Sequence, residues 1–128
     1  MKRENRPSLS WVAKFAVAFR GIYLALRHER SCWVHLAVTI GIAVAGIVFQ
    51  ISLIEWSNLV LCAALVWTAE LLNTAIERLC EIVQPKEDTR VAALLDVAAG
   101  AVLIAAIGAA IVGAIVFFPR LWAIFSGT

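Results

Sequence analysis

WSNLVLCAALVWTAELLNTAIERLCE (Trp56–Glu81) begins as a membrane helix and then breaks the rule for one. Its first half is apolar enough for lipid. Its second half places Glu70, Asn73 and Glu77 inside the same apolar run. The three stand at i, i+3 and i+7, which is one face of an α-helix. Glu81 continues that face. At 1.5 Å of rise per residue, Glu70 lies roughly 10 Å deeper than Glu77. Ionisable groups at such depth are costly and turn toward a protein interior, a partner or a wet cavity. The bland reading of the triplet is a hydrogen-bonding seam between helices. The sharper reading is a site.

The rest of the chain supports the membrane setting. Of 128 residues, 62% are hydrophobic and 16% charged, with a mean hydropathy of +0.90. Soluble domains run at about 45–50% apolar, so one membrane-embedded domain over residues 1–128 is expected. A net charge of +2 is too small to suggest nucleic acid. The cysteines, Cys32, Cys62 and Cys80, are scattered in or beside apolar runs. They read as small hydrophobes and not as a disulfide or metal set.

Apolar residues recur with helical spacing from Trp11 to Leu26, interleaved with Lys14, Arg20, Arg27 and Arg30. This predicts an amphipathic helix over residues 10–30, after a disordered tail at 1–9. Its basic side and aromatic anchors suit a membrane surface, although a helix packed only on its own protein fits the pattern too. Lys14 and Arg20 break the apolar centre that a cleavable signal needs, so no signal peptide is expected.

Transmembrane helices are predicted over 33–54, 56–80 and 91–118, the last ending at Pro119. Each exceeds the roughly 20 residues that span hydrocarbon. The link between the first two has no Lys or Arg, whereas Arg78, Lys86 and Arg90 flank the second link. The N-terminus and the second loop should therefore face the cytoplasm, and the C-terminus the other side. In that loop, Thr89 or Asp88 can cap the following helix. Ala105, Ala109 and Gly113, spaced by four, mark a close-packing face for a bundle or an oligomer.

Other carboxylates are candidates for chemistry. Glu29 ends the surface segment in LRHERSCWVHL (Leu26–Leu36) on the cytoplasmic side. With a carboxylate from another segment it can hold Mg²⁺, which favours oxygen ligands and phosphates. Alone it is a solvated side chain. Asp96 is either a wet interior charge or a local hydrogen-bonding group. His28 and His35 read as interfacial side chains without a site. Neither GxxxxGKS/T nor GxGxxG occurs, so any ATP site lacks the familiar phosphate loops.

Taken together, AELLNTAIERLCE (Ala69–Glu81) and DVAAGAVLIAA (Asp96–Ala106) resemble the prokaryotic diacylglycerol kinase and undecaprenol kinase family. FRGIYLALRHER (Phe19–Arg30) and the later His35-Leu36 are similar to its N-terminal portion. The resemblance runs from about Phe15 to Pro119, and the run from Glu70 to Glu77 is its most specific part.

The resemblance implies an all-α membrane protein: a surface helix plus three transmembrane helices, assembled as a homotrimer with shared active sites in the bacterial inner membrane. It implies transfer of the γ-phosphoryl group of ATP, with Mg²⁺, to the hydroxyl of diacylglycerol or undecaprenol. Glu70 matches the catalytic base. Burial strengthens such a base so long as it stays ionised. Glu29 and Glu77 match metal ligands at the nucleotide phosphates. Asn73 and Ala99 match lipid-site positions, as does Glu70. Lys86, Glu87, Asp88 and Asp96 match the nucleotide side.

The chain departs from the family pattern in three places. Leu95 replaces a Lys before Asp96. Lys86, Glu87 and Asp88 replace an aromatic-His loop. Ser31 stands where an Asn is common. Arg90 or Lys86 is expected to supply the charge missing at Leu95. Failing that, the chain is a kinase relative that binds lipid or nucleotide without efficient transfer. A proton-coupled transporter built on Glu70 is a third reading, but it has no use for a metal-competent pair near the cytoplasm.

Overall fold

The computed structural model describes Ser8 and residues 10–127. The tail expected over residues 1–9 lies outside these, Ser8 apart. Four helices account for nearly all of it: α1 Trp11–His28, α2 Arg30–Val48, α3 Leu53–Val83 and α4 Thr89–Ser126. No strand occurs among the described residues.

Helices α2, α3 and α4 are each long and apolar enough to cross a membrane. α2, with 19 residues, is about 28 Å long and matches the hydrocarbon thickness. α3 and α4, with 31 and 38 residues, run to about 46 and 57 Å and must project beyond it.

Local chemistry sets most of the helix ends. The Ser10 hydroxyl accepts from Ala13 N at the start of α1. Glu29, in extended conformation, is the single-residue break between α1 and α2. α2 closes with a Schellman turn. There Ile51 N–H donates to Gly46 O, Gln50 N–H donates to Ile47 O, and Gln50 takes a φ of 51°. Ser52 and Glu55 form a reciprocal capping box at the start of α3, satisfying two otherwise orphaned N–H groups. Asp88 caps α4 by accepting from Arg90 N.

Pro119 does not stop the last helix, which continues to Ser126. A proline removes one N–H and crowds the preceding turn. Here the adjoining carbonyl of Val116 gains a bond at 2.6 Å from the Arg120 guanidinium. The same guanidinium grips both Glu55 oxygens at 2.8 Å.

The apolar core is concentrated at this end of the molecule. Ile51, Leu59 and Val116 are buried, with Phe49, Trp56 and Phe117 packed around them. α4 packs chiefly on α3. Gly46 belongs to this core. A Cβ there would stand 2.6 Å from Trp56 Cη2 and 3.1 Å from Ile51 Cδ1. At Gly41 a Cβ would meet nothing within 4 Å. Gly46→Leu is therefore expected to destabilise the protein by about 1–3 kcal/mol through overpacking, while Gly41→Leu does not. Denaturation midpoints of the two variants in detergent check this.

Candidate active site

Of the face expected on α3, Glu70 and Asn73 are buried, Glu77 is half-buried and Glu81 is exposed. Glu70, Asn73 and Thr74 are its buried polar residues, while Leu72, Ile76 and Leu79 on the other sides are exposed. Only 4% of Glu70 is accessible. Its carboxylate faces α2, where the Ser31 hydroxyl donates to Oε1. His35 Nε2 stands 3.3 Å from Oε2. Both oxygens thus have a partner from the neighbouring helix.

One turn further along α3, Asn73 Nδ2 donates to Glu77 Oε1 at 2.9 Å. The other end of that amide, Oδ1, is buried and has no hydrogen-bond partner. Orphaned buried oxygens are uncommon and ask for an explanation such as an ion or water.

Glu29, at the α1–α2 break, reaches across to α3. Its Oε1 accepts from Arg78 Nη2 at 2.9 Å, and Arg78 Nη1 contacts Glu81 Oε2 at 3.3 Å. Arg78 follows Glu77 directly, so this ion pair ties Glu29 to the stretch of α3 that carries Glu77. The neighbourhood offers two carboxylates and an unpartnered amide oxygen. An oxygen-only set suits a hard cation such as Mg²⁺, which binds through one or two carboxylates and completes its shell with phosphates and water. Among the described residues no group of three or more His, Cys, Asp or Glu side chains forms a self-sufficient metal site.

Glu77 also opens onto a cavity of about 830 Å³ beneath the α3–α4 loop, lined in part by Glu81, Lys86, Glu87, Asp88 and Leu95. Three of the expected nucleotide-side residues therefore border one space with Glu77. Arg90 is not part of that lining. Its guanidinium is taken up by Asp88, with Nη2 2.9 Å from Oδ2 and Nε 3.2 Å from Oδ1. This guanidinium, with Arg90's backbone N–H, holds the Asp88 carboxyl below the usual carboxylate range. Of the two cations weighed against the missing lysine at Leu95, Lys86 is the one that faces the cavity.

Asp96 and Ala99 are placed differently. Both are exposed on α4, and neither lines the cavities bordered by Glu77 or Asn73. Within one chain they do not join the Glu70–Glu77 face.

Three contributors were missed in the sequence reading: Ser31, His35 and Arg78. Their signal was faint but present. Ser31, His35 and Thr39 are polar residues four apart in an apolar helix, a stripe that the structure turns toward α3.

Comparison with known proteins identifies the family. The family model for prokaryotic diacylglycerol kinase matches residues 16–117. An undecaprenol kinase of Bacillus subtilis is 36% identical over 93% of this chain and 98% of its own length. A diacylglycerol kinase of Synechocystis is 32% identical over 86% of this chain and 63% of its own length. No solved structure matches. The chain belongs to the prokaryotic diacylglycerol kinase family of ATP-dependent membrane lipid kinases.

Proposed function

We propose that the protein transfers the γ-phosphoryl group of ATP to the hydroxyl of undecaprenol or diacylglycerol, with Glu70 as the general base. The observation that carries this reading is the buried Glu70 carboxylate on the same helix face as Asn73 and Glu77. The lipid oxygen attacks the γ-phosphorus, its proton passes to Glu70, and the bond from phosphorus to the β-bridging oxygen breaks to release ADP. Such transfers need positioning and charge neutralisation more than covalent chemistry. Glu29 and Glu77 would hold Mg²⁺, which supplies charge neutralisation at the phosphates when bound. Asn73 fixes Glu77 through its amide. Lys86, Glu87 and Asp88 border the nucleotide's cavity, and Lys86 provides the cation that Leu95 does not.

Depth along α3 supports a membrane-borne acceptor. With Glu55 at one edge of a hydrocarbon layer of about 30 Å, Glu70 lies about 22 Å along the helix and Glu77 about 33 Å. Glu70 then sits just inside the opposite edge, within reach of a lipid hydroxyl, and Glu77 just outside, where ATP arrives. That opposite side is the cytoplasmic face of the inner membrane in this reading, with the N-terminus there and the C-terminus across the membrane. α1, with Trp11, Phe15 and Phe19 exposed and Lys14 over the Trp11 ring, lies on that surface.

The assembly is a homotrimer with shared active sites. Asp96 and Ala99, exposed within one chain, complete a neighbouring subunit's site. A Cβ at Gly100, Gly108 or Gly113 would meet nothing within 4 Å, leaving room for a second helix backbone to approach closely. The nearly full-length match to an undecaprenol kinase favours a polyprenol acceptor.

Two predictions test this reading. In mixed micelles with labelled MgATP and each lipid alcohol, one lipid becomes labelled, and Glu70→Gln lowers the rate by about 10²–10⁴-fold, the usual contribution of a general base. Absence of labelling with both lipids by folded protein supports the non-transferring relative instead. Lys86→Ala raises KM for ATP by about tenfold, the scale of one lost charge-assisted hydrogen bond. Arg90→Ala does so less, and Leu95→Lys offsets the Lys86→Ala loss. Equal, negligible effects of both alanine variants sink the compensation.

A further inference from the structure

A carboxylate withdrawn from water remains ionised only when other groups replace its hydration. Glu70 has two such groups, both from α2. The Ser31 hydroxyl meets Oε1, and His35 Nε2 stands 3.3 Å from Oε2. The imidazole is itself held in place. Its ring meets Trp67 edge-on, with centroids 6.3 Å apart and planes at 62°. The Trp67 indole N–H donates to Thr39 Oγ1 at 2.9 Å, and the Thr39 hydroxyl donates to the His35 backbone carbonyl at 2.6 Å. Residues Ser31, His35 and Thr39 on α2 thus interlock with Trp67 and Glu70 on α3.

Packing alone does not require a histidine at this position. A leucine would fill the seam and avoid the cost of another polar group. What the imidazole adds is a ring nitrogen 3.3 Å from a buried carboxylate oxygen. An ionised carboxylate offers about four lone-pair sites. Ser31 takes one on Oε1 and His35 stands beside Oε2, which leaves others for a substrate hydroxyl.

We propose that His35 is the positioning residue of the catalytic base. From 3.3 Å away, its Nε2 holds the Glu70 carboxylate turned so that a free lone pair meets the lipid hydroxyl. Ser31 shares this task from the other oxygen, which gives a role to one of the chain's departures from its family's pattern. The proposal rests on Glu70 being the base. It adds that the base works only with its α2 partner in place.

The test uses the full-length protein in lipid mixed micelles. His35→Leu is expected to lower kcat by about 100-fold, the scale of a disabled general base, while KM for ATP stays within about twofold because the nucleotide groups lie elsewhere. His35→Gln places an amide N–H where Nε2 stood and keeps kcat within about tenfold of the parent, whereas His35→Asn, too short to reach, behaves like leucine. Equal losses in the Gln and Asn variants overturn the proposal in favour of packing. So does a His35→Leu enzyme of undiminished kcat.

The failure of this proposal and the failure of the kinase reading are distinguishable. A parent protein that phosphorylates neither lipid, or a Glu70→Gln variant of undiminished rate, ends the assignment of Glu70 as base. A parent that is active and silenced by Glu70→Gln, yet keeps its kcat in His35→Leu, ends the pairing alone.

Discussion

A carboxylate in hydrocarbon has no water to solvate it, so the protein must do so. Leaving such a charge buried and unpaired costs several kcal/mol. The contact between α2 and α3 is built around this constraint at Glu70. α2 is otherwise a plain apolar helix, yet it spends Ser31, His35 and Thr39 on the side that meets α3. The seam therefore fixes how α2 is rotated. Turning it by one residue, about 100°, would strand Glu70 and point three polar side chains at lipid.

The two ends of the bundle are built for different purposes. At one end, the Schellman turn after α2, the Ser52–Glu55 capping box and the Glu55–Arg120 ion pair surround a small core of Ile51, Leu59 and Val116. Backbone and side-chain polar groups satisfy one another there. At the other end lie the Glu29 break, an unpartnered Asn73 oxygen and the cavity under the loop. A sheath of lipid-exposed leucines and valines connects them. Rigid packing far from the chemistry can hold α3 and α4 in register while the loop end stays open to substrates.

Much of this was legible in the sequence, for physical reasons. Four helices follow from long apolar runs, a surface segment that ends at Glu29 and the break at Pro85 with the charged residues after it. The common face of Glu70, Asn73 and Glu77 follows from helical periodicity, and the structure buries its first two members and half-buries the third. What was hidden depends on pairing between segments. Periodicity places His35 on a helix but does not say that this side of the helix meets Glu70. Arg78 read as one of the positive charges near the loop, whereas the structure uses it to draw Glu29 onto α3. Pro119 read as a stop because a proline removes one helix N–H and crowds the preceding turn, yet the helix continues through it to Ser126. Asp96 lies near Ala98, which is buried at 8%, yet the turn of the helix sends it outward.

The exchange of a helix lysine for Leu95 also changes how phosphate would be held. A lysine on α4 would project from a rigid backbone. Lys86 projects from the α3–α4 loop, and each long side chain already loses rotamer freedom worth up to about 2 kcal/mol when fixed. A loop cation must give up backbone freedom as well, so the same ammonium delivers less net attraction. Its neighbours Glu87 and Asp88 border the same cavity and repel phosphate. The pairing of Asp88 with Arg90 reduces that repulsion, which assigns Arg90 a purpose even though it does not face the cavity. In the proposed kinase, the charge absent from α4 would be compensated in two parts, by a cation that borders the cavity and by another that screens an anion at its edge.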